Sequence, residues 1–240
     1  MHRIDVEAGK RSAGRRAAEA LVTPDMRLGL GTGSTALHTV ARVGERYAAG
    51  ELPGLLIVAT STQTETLCWS LGLPLVSLND RRLAGSLDLA IDGADQVDPR
   101  FRLIKGGGAA MLREKVVARA AARYAVVVDA TKLVTRLGLD KPIPVEVVRE
   151  AVALVSREAA VLGAHAVLRQ RAGMSGPVIT DHGNFILDLT FSAPFEVAEL
   201  ERGLKLIPGV LENGIFTNHV HDVFVGTDTN TVEHRKQETT

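Results

Sequence analysis

The feature of this chain with the plainest chemical meaning is a carboxylate on an otherwise apolar helix face. Residues 91–115 read IDGADQVDPRFRLIKGGGAAMLREK, placing Asp92, Asp95, Lys105, a triple glycine and Glu114 in one expected strand–loop–helix segment. On a helix expected from about Ala109 to Tyr124, the helical neighbours of Glu114 are Ala110, Val117, Ala118 and Ala121. Lys115, Arg119 and Arg123 project from the far side. A carboxylate is costly to bury in such a place unless something pairs with it or uses it. Burial raises a carboxyl pKa toward neutrality, which suits a general base working near pH 7. The other reading is a structural ion pair with Lys105 or another lysine, and the helix wheel alone leaves the two about even.

Three further groups could share that chemistry. Leu28–Thr35 (LGLGTGST) reads as a strand, a glycine turn and a helix start. Backbone N–H groups in such a turn form a pocket for phosphate, with hydroxyls from Ser34 and Thr35, which would also cap the helix. The loop lacks the lysine of a Walker motif. It also lacks the last glycine of a dinucleotide fingerprint, because Ser34 stands there. Asp92-Gly93-Ala94-Asp95 follows an apolar strand, where the ligand crevice of a parallel sheet lies. Carboxylates there also fit a magnesium site, or a pair of turn-forming aspartates, while Asp98 before proline reads as a turn residue. Lys105-Gly106-Gly107-Gly108 would bring a cation and free N–H groups to a developing enolate or a phosphate. Asp129-Ala130-Thr131-Lys132 offers another lysine after an apolar strand, and Lys10 precedes the first helix with weaker grounds. His219 and His221 alternate in a metal-compatible way but lack acids or cysteines at ligand spacing. Cys68 beside Trp69 reads as packing. No G-x-S-x-G elbow supports serine hydrolysis.

The elements that must position these residues alternate at first. Helices are expected at 10–22, 35–49 and 63–71, and strands at 26–30, 55–60, 75–78, 87–91, 103–104 and 124–128. Apolar strands separated by helices indicate a parallel sheet covered on both faces, hence a doubly wound, Rossmann-like α/β domain. From about Asp140 the order becomes strand 144–148, helix 149–162, strand 165–170, a hairpin of 177–181 and 185–190, and helix 194–206. That order suggests a small ferredoxin-like α+β module. The expected division is 1–139 with 214–240 for the larger domain and 140–213 for the smaller, with a frayed tail from about Thr227.

Composition bounds the rest. The 240 residues carry 28 basic and 28 acidic side chains, so no global field favours nucleic acid or an anionic membrane. One cysteine leaves no internal disulfide framework and fits a reducing cytoplasm. The first residues hold no apolar core of signal-peptide length, and no apolar run approaches the ~18 residues of a membrane span.

Taken together, GTGST at 31–35, DGADQVDP at 92–99, KGGGAAMLREK at 105–115, DATK at 129–132, PIPVEV at 142–147, TDHGNFILD at 180–188 and IPGVLENGIF at 207–216 resemble the A-type ribose-5-phosphate isomerase family. The resemblance runs from about Lys10 to about Gly226. It implies interconversion of ribose 5-phosphate and ribulose 5-phosphate with no metal or organic cofactor. By the same resemblance Glu114 is the acid/base moving a proton between C2 and C1. Thr32, Gly33, Ser34 and Thr35 hold the phosphate end, helped by Lys10. Asp92, Gly93, Ala94 and Asp95 meet the sugar hydroxyls, with Asp92 assisting ring opening. Lys105 with Gly106, Gly107 and Gly108 binds substrate and stabilises the enediolate, and Lys132 binds from the next strand. Gln96 stands where the family usually has glutamate and Asn213 where many members have histidine; either could tune a loop or a subunit contact. A homodimer or homotetramer acting on a small phosphosugar is expected, with no nucleic acid or membrane partner. The alternatives are an amino-sugar phosphate deaminase on a related fold and a non-catalytic phosphosugar sensor. The sensor normally carries a DNA-binding module, and no helix-turn-helix extension or basic patch is visible here.

Overall fold

The structure is a computed structural model that describes residues 5–173, 175–217, 220–227 and 232–237. The elements follow as α1 (Val6–Leu21), β1 (Arg27–Leu30), α2 (Ala36–Ala48), β2 (Leu56–Ala59), α3 (Thr62–Ser70), β3 (Leu87–Gly93), β4 (Gln96–Val97), β5 (Leu103–Ile104), α4 (Met111–Ala120) and β6 (Ala121–Asp129). Then come β7 (Ile143–Val147), α5 (Val152–Val161), β8 (Ala164–Leu168), β9 (Phe185–Phe191), α6 (Val197–Lys205), β10 (Val210–Asn213), β11 (Ile215–Phe216), β12 (Asp222–Gly226) and β13 (Val232–Lys236). Packing divides the chain into two compact units. The first takes the described residues within Met1–Ala94, Arg113–Leu133 and His219–Thr240, and the second those within Asp95–Leu112 and Val134–Asn218.

In the first unit a six-stranded sheet runs β13-β12-β6-β3-β1-β2. All neighbours are parallel except β13, which pairs antiparallel with β12. The chain leaves β1 for β2 on one side and returns past it to β3 on the other. Strand order therefore reverses between β1 and β3, the topological switch point outside which such sheets bind ligands. Leu28 and Leu30 are fully buried in a core with Ala13, Ala17, Val40 and Phe224. Gly29 faces the opposite way, toward Val117 of α4. Helices thus cover both faces, the doubly wound α/β arrangement expected.

The second unit holds a four-stranded antiparallel sheet, β10-β7-β9-β8. Its chain order of strand, helix, strand, strand, helix, strand is that of the ferredoxin-like motif. α5 and α6 bury Val155, Ala159, Leu200 and Leu204 with Val145, Leu187 and Leu189 of the sheet. A three-stranded sheet, β11-β5-β4, belongs to the same unit.

Several expected elements differ. α1 starts at Val6 rather than at residue 10, because Asp5 caps it by accepting the Ala8 N–H at 3.0 Å. α4 ends at Ala120, four residues short of the expected Tyr124. Ala121 already pairs with Leu87, so sheet formation overrides helical pattern there. Arg123 consequently lies on a strand and pairs with Asp222 at 2.6 Å. Residues 75–78 make only one isolated bridge, Ile57 to Leu75. The first arm of the 177–190 hairpin is likewise reduced to bridges at Pro177 and Ile179, since proline brings no N–H to a ladder. β10 was missed, and the tail is not frayed over Val232–Lys236, which adds β13 to the sheet. Cys68 is fully buried, as its reading as packing requires, but Trp69 beside it is 64% exposed.

Candidate active site

The loop after β1 and the strand end of β3 meet at the switch point of the first unit. Asp92 is 2% exposed, and its Oδ1 accepts the N–H of Thr32 at 2.9 Å and of Gly93 at 2.7 Å. Gly31 makes this approach possible: a Cβ there would sit 2.0 Å from Asp92 Oδ1. Gly33 turns the loop with φ of +104°, a value side chains resist. The Thr32 hydroxyl is held in a buried cluster with Thr60 Oγ1 at 2.7 Å, Ser61 Oγ at 2.6 Å and Thr64 Oγ1 at 3.1 Å. Thr32 therefore supports the loop through both its polar groups. Ser34 is exposed, and Thr35 is the residue ahead of α2. The expectation that they cap the helix is corrected for Thr35, whose side chain makes no cap hydrogen bond. The 13-residue α2 thus starts without a side-chain cap, beside hydroxyls of the kind that meet a phosphate.

Glu114 lies in the first turn of α4 and is 5% exposed, with Ala110, Val117 and Ala118 buried on the same face. A helix feeding a parallel strand runs against it, so the first turn of α4 lies toward the carboxyl ends of the strands. The helix packs close because Gly29 has no side chain: a Cβ there would come within 2.5 Å of Val117 Cγ1. Arg113 steadies the same turn, donating to the Ala59 carbonyl at 3.0 Å and to Glu65 at 2.5 Å. Lys132 ends a single 3-10 turn, Ala130–Lys132, that follows β6 directly. Buried Asp129 caps this turn by accepting the N–H of Thr131 at 2.9 Å and its hydroxyl. Lys10 sits in α1 and pairs with Glu7 at 2.6 Å.

The second unit gathers Asp95, Lys105 and the glycines. The Asp95 N–H donates to Ile104 at 2.8 Å, and its Oδ2 accepts the N–H of Gly107 at 2.8 Å. Lys105 is 2% exposed, with its ammonium 5.8 Å from the centre of the Phe216 ring. Gly108 is exposed. Sequence reasoning missed Arg169, whose Nη1 donates to the carbonyls of Gly106 at 2.9 Å and Gly107 at 3.1 Å. Asp188 grips the same guanidinium at 2.5 and 2.8 Å. No local spacing marks Arg169, because the glycine carbonyls it holds are 62 and 63 residues away and Asp188 is 19 away. The buried hydroxyls of Thr60, Ser61 and Thr64 were also missed, although Ser61 capping α3 was a readable signal.

Among the described residues, no group of three or more His, Cys, Asp and Glu could hold a metal ion. His219 lies outside the described residues. His221 accepts the Tyr124 N–H at 3.1 Å through Nδ1, a structural contact. Gln96 is buried and its Oε1 accepts the Gly138 N–H at 2.8 Å, so this departure holds a loop in place. Asn213 turns inward, accepting from Ile215 N at 3.1 Å and donating to the Glu201 carbonyl at 3.0 Å.

Comparison with known proteins turns this geometry into a family. The profile of ribose 5-phosphate isomerase A (phosphoriboisomerase A) matches residues 56–230. Ribose-5-phosphate isomerase A of Treponema pallidum is 42% identical over 239 residues, covering 97% of this chain and 94% of that protein. The protein of the same name from a Synechococcus species is 50% identical over 202 residues, covering 84% of each. A solved D-ribose-5-phosphate isomerase in complex with phospho-erythronic acid superposes with a TM-score of 0.92 at 39% identity, covering 97% of this chain and all of that one. The class is thus an isomerase on a doubly wound α/β sheet with a small antiparallel domain. The chain belongs to the ribose 5-phosphate isomerase A family.

Proposed function

We propose that this protein interconverts D-ribose 5-phosphate and D-ribulose 5-phosphate, with Glu114 as the one acid/base for both carbons. The observation that carries the reading is Glu114 itself, a carboxylate 5% exposed in the first turn of the helix packed on Gly29. Family membership supplies the sugar. The phospho-erythronic acid bound by a structural relative fits the same chemistry. It joins a phosphate to a planar, charged carboxylate, the shape and charge of an enediolate.

The dianion binds at the 32–35 loop, with Ser34 and Thr35 hydroxyls, Lys10 and Lys132 as its partners. Asp92, with Gly93, Ala94 and Asp95, meets the sugar hydroxyls and helps open the ring. Glu114 removes the C2 proton, leaving an enediolate across C1 and C2 that Lys105 and Gly106–Gly108 stabilise. The hydroxyl proton passes from O2 to O1, and Glu114 returns its proton to C1. One base serving two adjacent carbons depends on fixed geometry more than on extra groups. The module 140–213 is the small domain of this reading, supported by the ferredoxin-like order of β7 to β10. A homodimer or homotetramer in the cytoplasm completes it, and sizing of purified protein tests the assembly.

The test is conversion of ribose 5-phosphate to ribulose 5-phosphate in EDTA by the wild type and Glu114→Gln. Turnover should fall by at least ~10²–10⁴ in the variant. Near-normal turnover would remove Glu114 from its role. An inactive wild type would favour the deaminase, detected by ammonia release, or the sensor.

A further inference from the structure

The second unit contains a cavity of about 310 Å³ that shares no residue with the groups assigned to the reaction. Its size is at the lower end of the ~300–1,000 Å³ typical of small-molecule sites. Three arginines line it, Arg100, Arg102 and Arg136, against two acids, Asp98 and Glu196. These charges are not equivalent. Asp98, 3% exposed, is used up by its own loop: its carboxylate pairs with Arg102 at 2.6 Å and accepts the N–H groups of Arg100 and Arg102 at 2.9 Å. The Arg100 and Arg136 guanidinium groups make no hydrogen bond or ion pair among the described residues, and both residues are exposed. Two unpaired guanidinium forks at one cavity suit an oxyanion, which they can grip in bidentate fashion.

The cavity is also built in advance. The loop carrying Thr135, Arg136 and Leu137 is tied to β4 twice, by Val134 N–H to the Val97 carbonyl at 2.9 Å and by Gly138 N–H to Gln96 Oε1 at 2.8 Å. Phe195 packs over Gly138 so closely that a Cβ there would lie 2.8 Å from Cζ, which fixes the apolar wall. On the other side Phe101 holds φ of +59°, a conformation costly for a bulky residue, at the turn carrying Arg100. Leu137, Phe195 and Val197 give the site a surface that inorganic phosphate alone would leave unfilled.

We infer that this cavity binds a small organic oxyanion, a phosphate or carboxylate on an apolar or aromatic body, gripped by Arg100 and Arg136. Glu196, on the same lining, works against the anion and limits its charge.

Titration calorimetry on the full chain tests this with phenyl phosphate, benzoate and the uncharged analogue phenol. At least one anion should bind one per chain, phenol should not, and saturating ribose 5-phosphate should leave the binding in place. Which anion binds identifies the head group. The double variant Arg100→Ala, Arg136→Ala should lose about tenfold or more in affinity, the equivalent of one charge-assisted hydrogen bond, while its isomerase rate is unchanged. Glu196→Gln should bind tighter than the wild type, and Lys132→Ala should bind equally. No binding by either anion, displacement by ribose 5-phosphate, or equal affinity in the double variant would each overturn the proposal.

Discussion

The Oδ1 atom of Asp92 accepts the backbone N–H of Thr32 at 2.9 Å across 60 residues of sequence. This one bond joins the end of β3 to the loop after β1 at the point where strand order reverses. The acid proposed to meet the sugar therefore also sets the shape of the loop proposed to hold its phosphate. A change in either should be felt at both ends of the substrate.

Gly31→Ala tests that coupling without touching a charge. Its methyl would lie 2.0 Å from Asp92 Oδ1 and 2.5 Å from Asp92 Cα, so backbone as well as side chain must shift. Overpacking of this kind costs about 1–3 kcal/mol of stability. The catalytic loss should be larger, about 10² in kcat/KM, because displacements near 1 Å at a site have that effect. Steady-state kinetics beside thermal melts will separate the two, and a variant with full activity would refute the coupling.

Arg169→Ala should leave the carbonyls of Gly106 and Gly107 without their clamp. We expect kcat/KM to drop about 10-fold to 10²-fold, and Arg169→Lys to recover little, since a single ammonium cannot replace a fork shared with Asp188. Recovery to wild-type kinetics in the lysine variant would mean that charge alone suffices.

Acid sensitivity should appear at the other edge of the first unit. Burial pushes the Asp222 carboxyl up, but hydrogen bonds from Arg123 and His234 outweigh it and hold the group below the ordinary aspartate value. A depressed carboxyl stabilises the fold above its unfolded value, about 3.9, and that contribution is lost as pH falls through the lower folded value. Asp222→Asn should therefore melt earlier than the wild type at pH 7, with the gap closing only below about pH 4. A gap that stays constant to pH 2 would show that the pair contributes through packing and not through charge.

Cys68 provides a check on the core. Burial, and then the nearby Glu65 charge, push its thiol up to about 12. At pH 8 the thiolate fraction is then only about 10⁻⁴. Ellman's reagent should label no cysteine in the native protein and one per chain in urea. Rapid native labelling would contradict the burial of α3 against the sheet.

Much of this was legible in the chain because the signals were local. Apolar strands alternating with helices point to the doubly wound sheet, and the helical spacing around Glu114 points to the buried carboxylate that the fold contains. Asp98 before proline reads as a turn residue, and its side chain accepts two N–H groups of its own loop. Elements failed to match where pairing across the chain outweighed local pattern. Ala121 to Tyr124 continue a helical pattern, yet strand pairing with β3 claims them. The polar residues 232–236 read as a tail because an edge strand needs apolar residues on one face at most. Their place comes from the ladder to β12 and from His234, whose Nε2 lies 2.7 Å from Asp222 Oδ1.

By itself, then, the sequence determined the fold class and which residues are candidates for chemistry, since residue type, helical spacing and glycine turns are properties of short segments. Only the tertiary structure decided how those residues are held. The Thr32 hydroxyl is hydrogen-bonded to those of Thr60, Ser61 and Thr64, the carbonyls of the triple-glycine loop are gripped by Arg169, and Arg100 and Arg136 come to one cavity. These contacts join positions tens of residues apart. Their energy exists only once the intervening chain has closed, so no short window of sequence contains it.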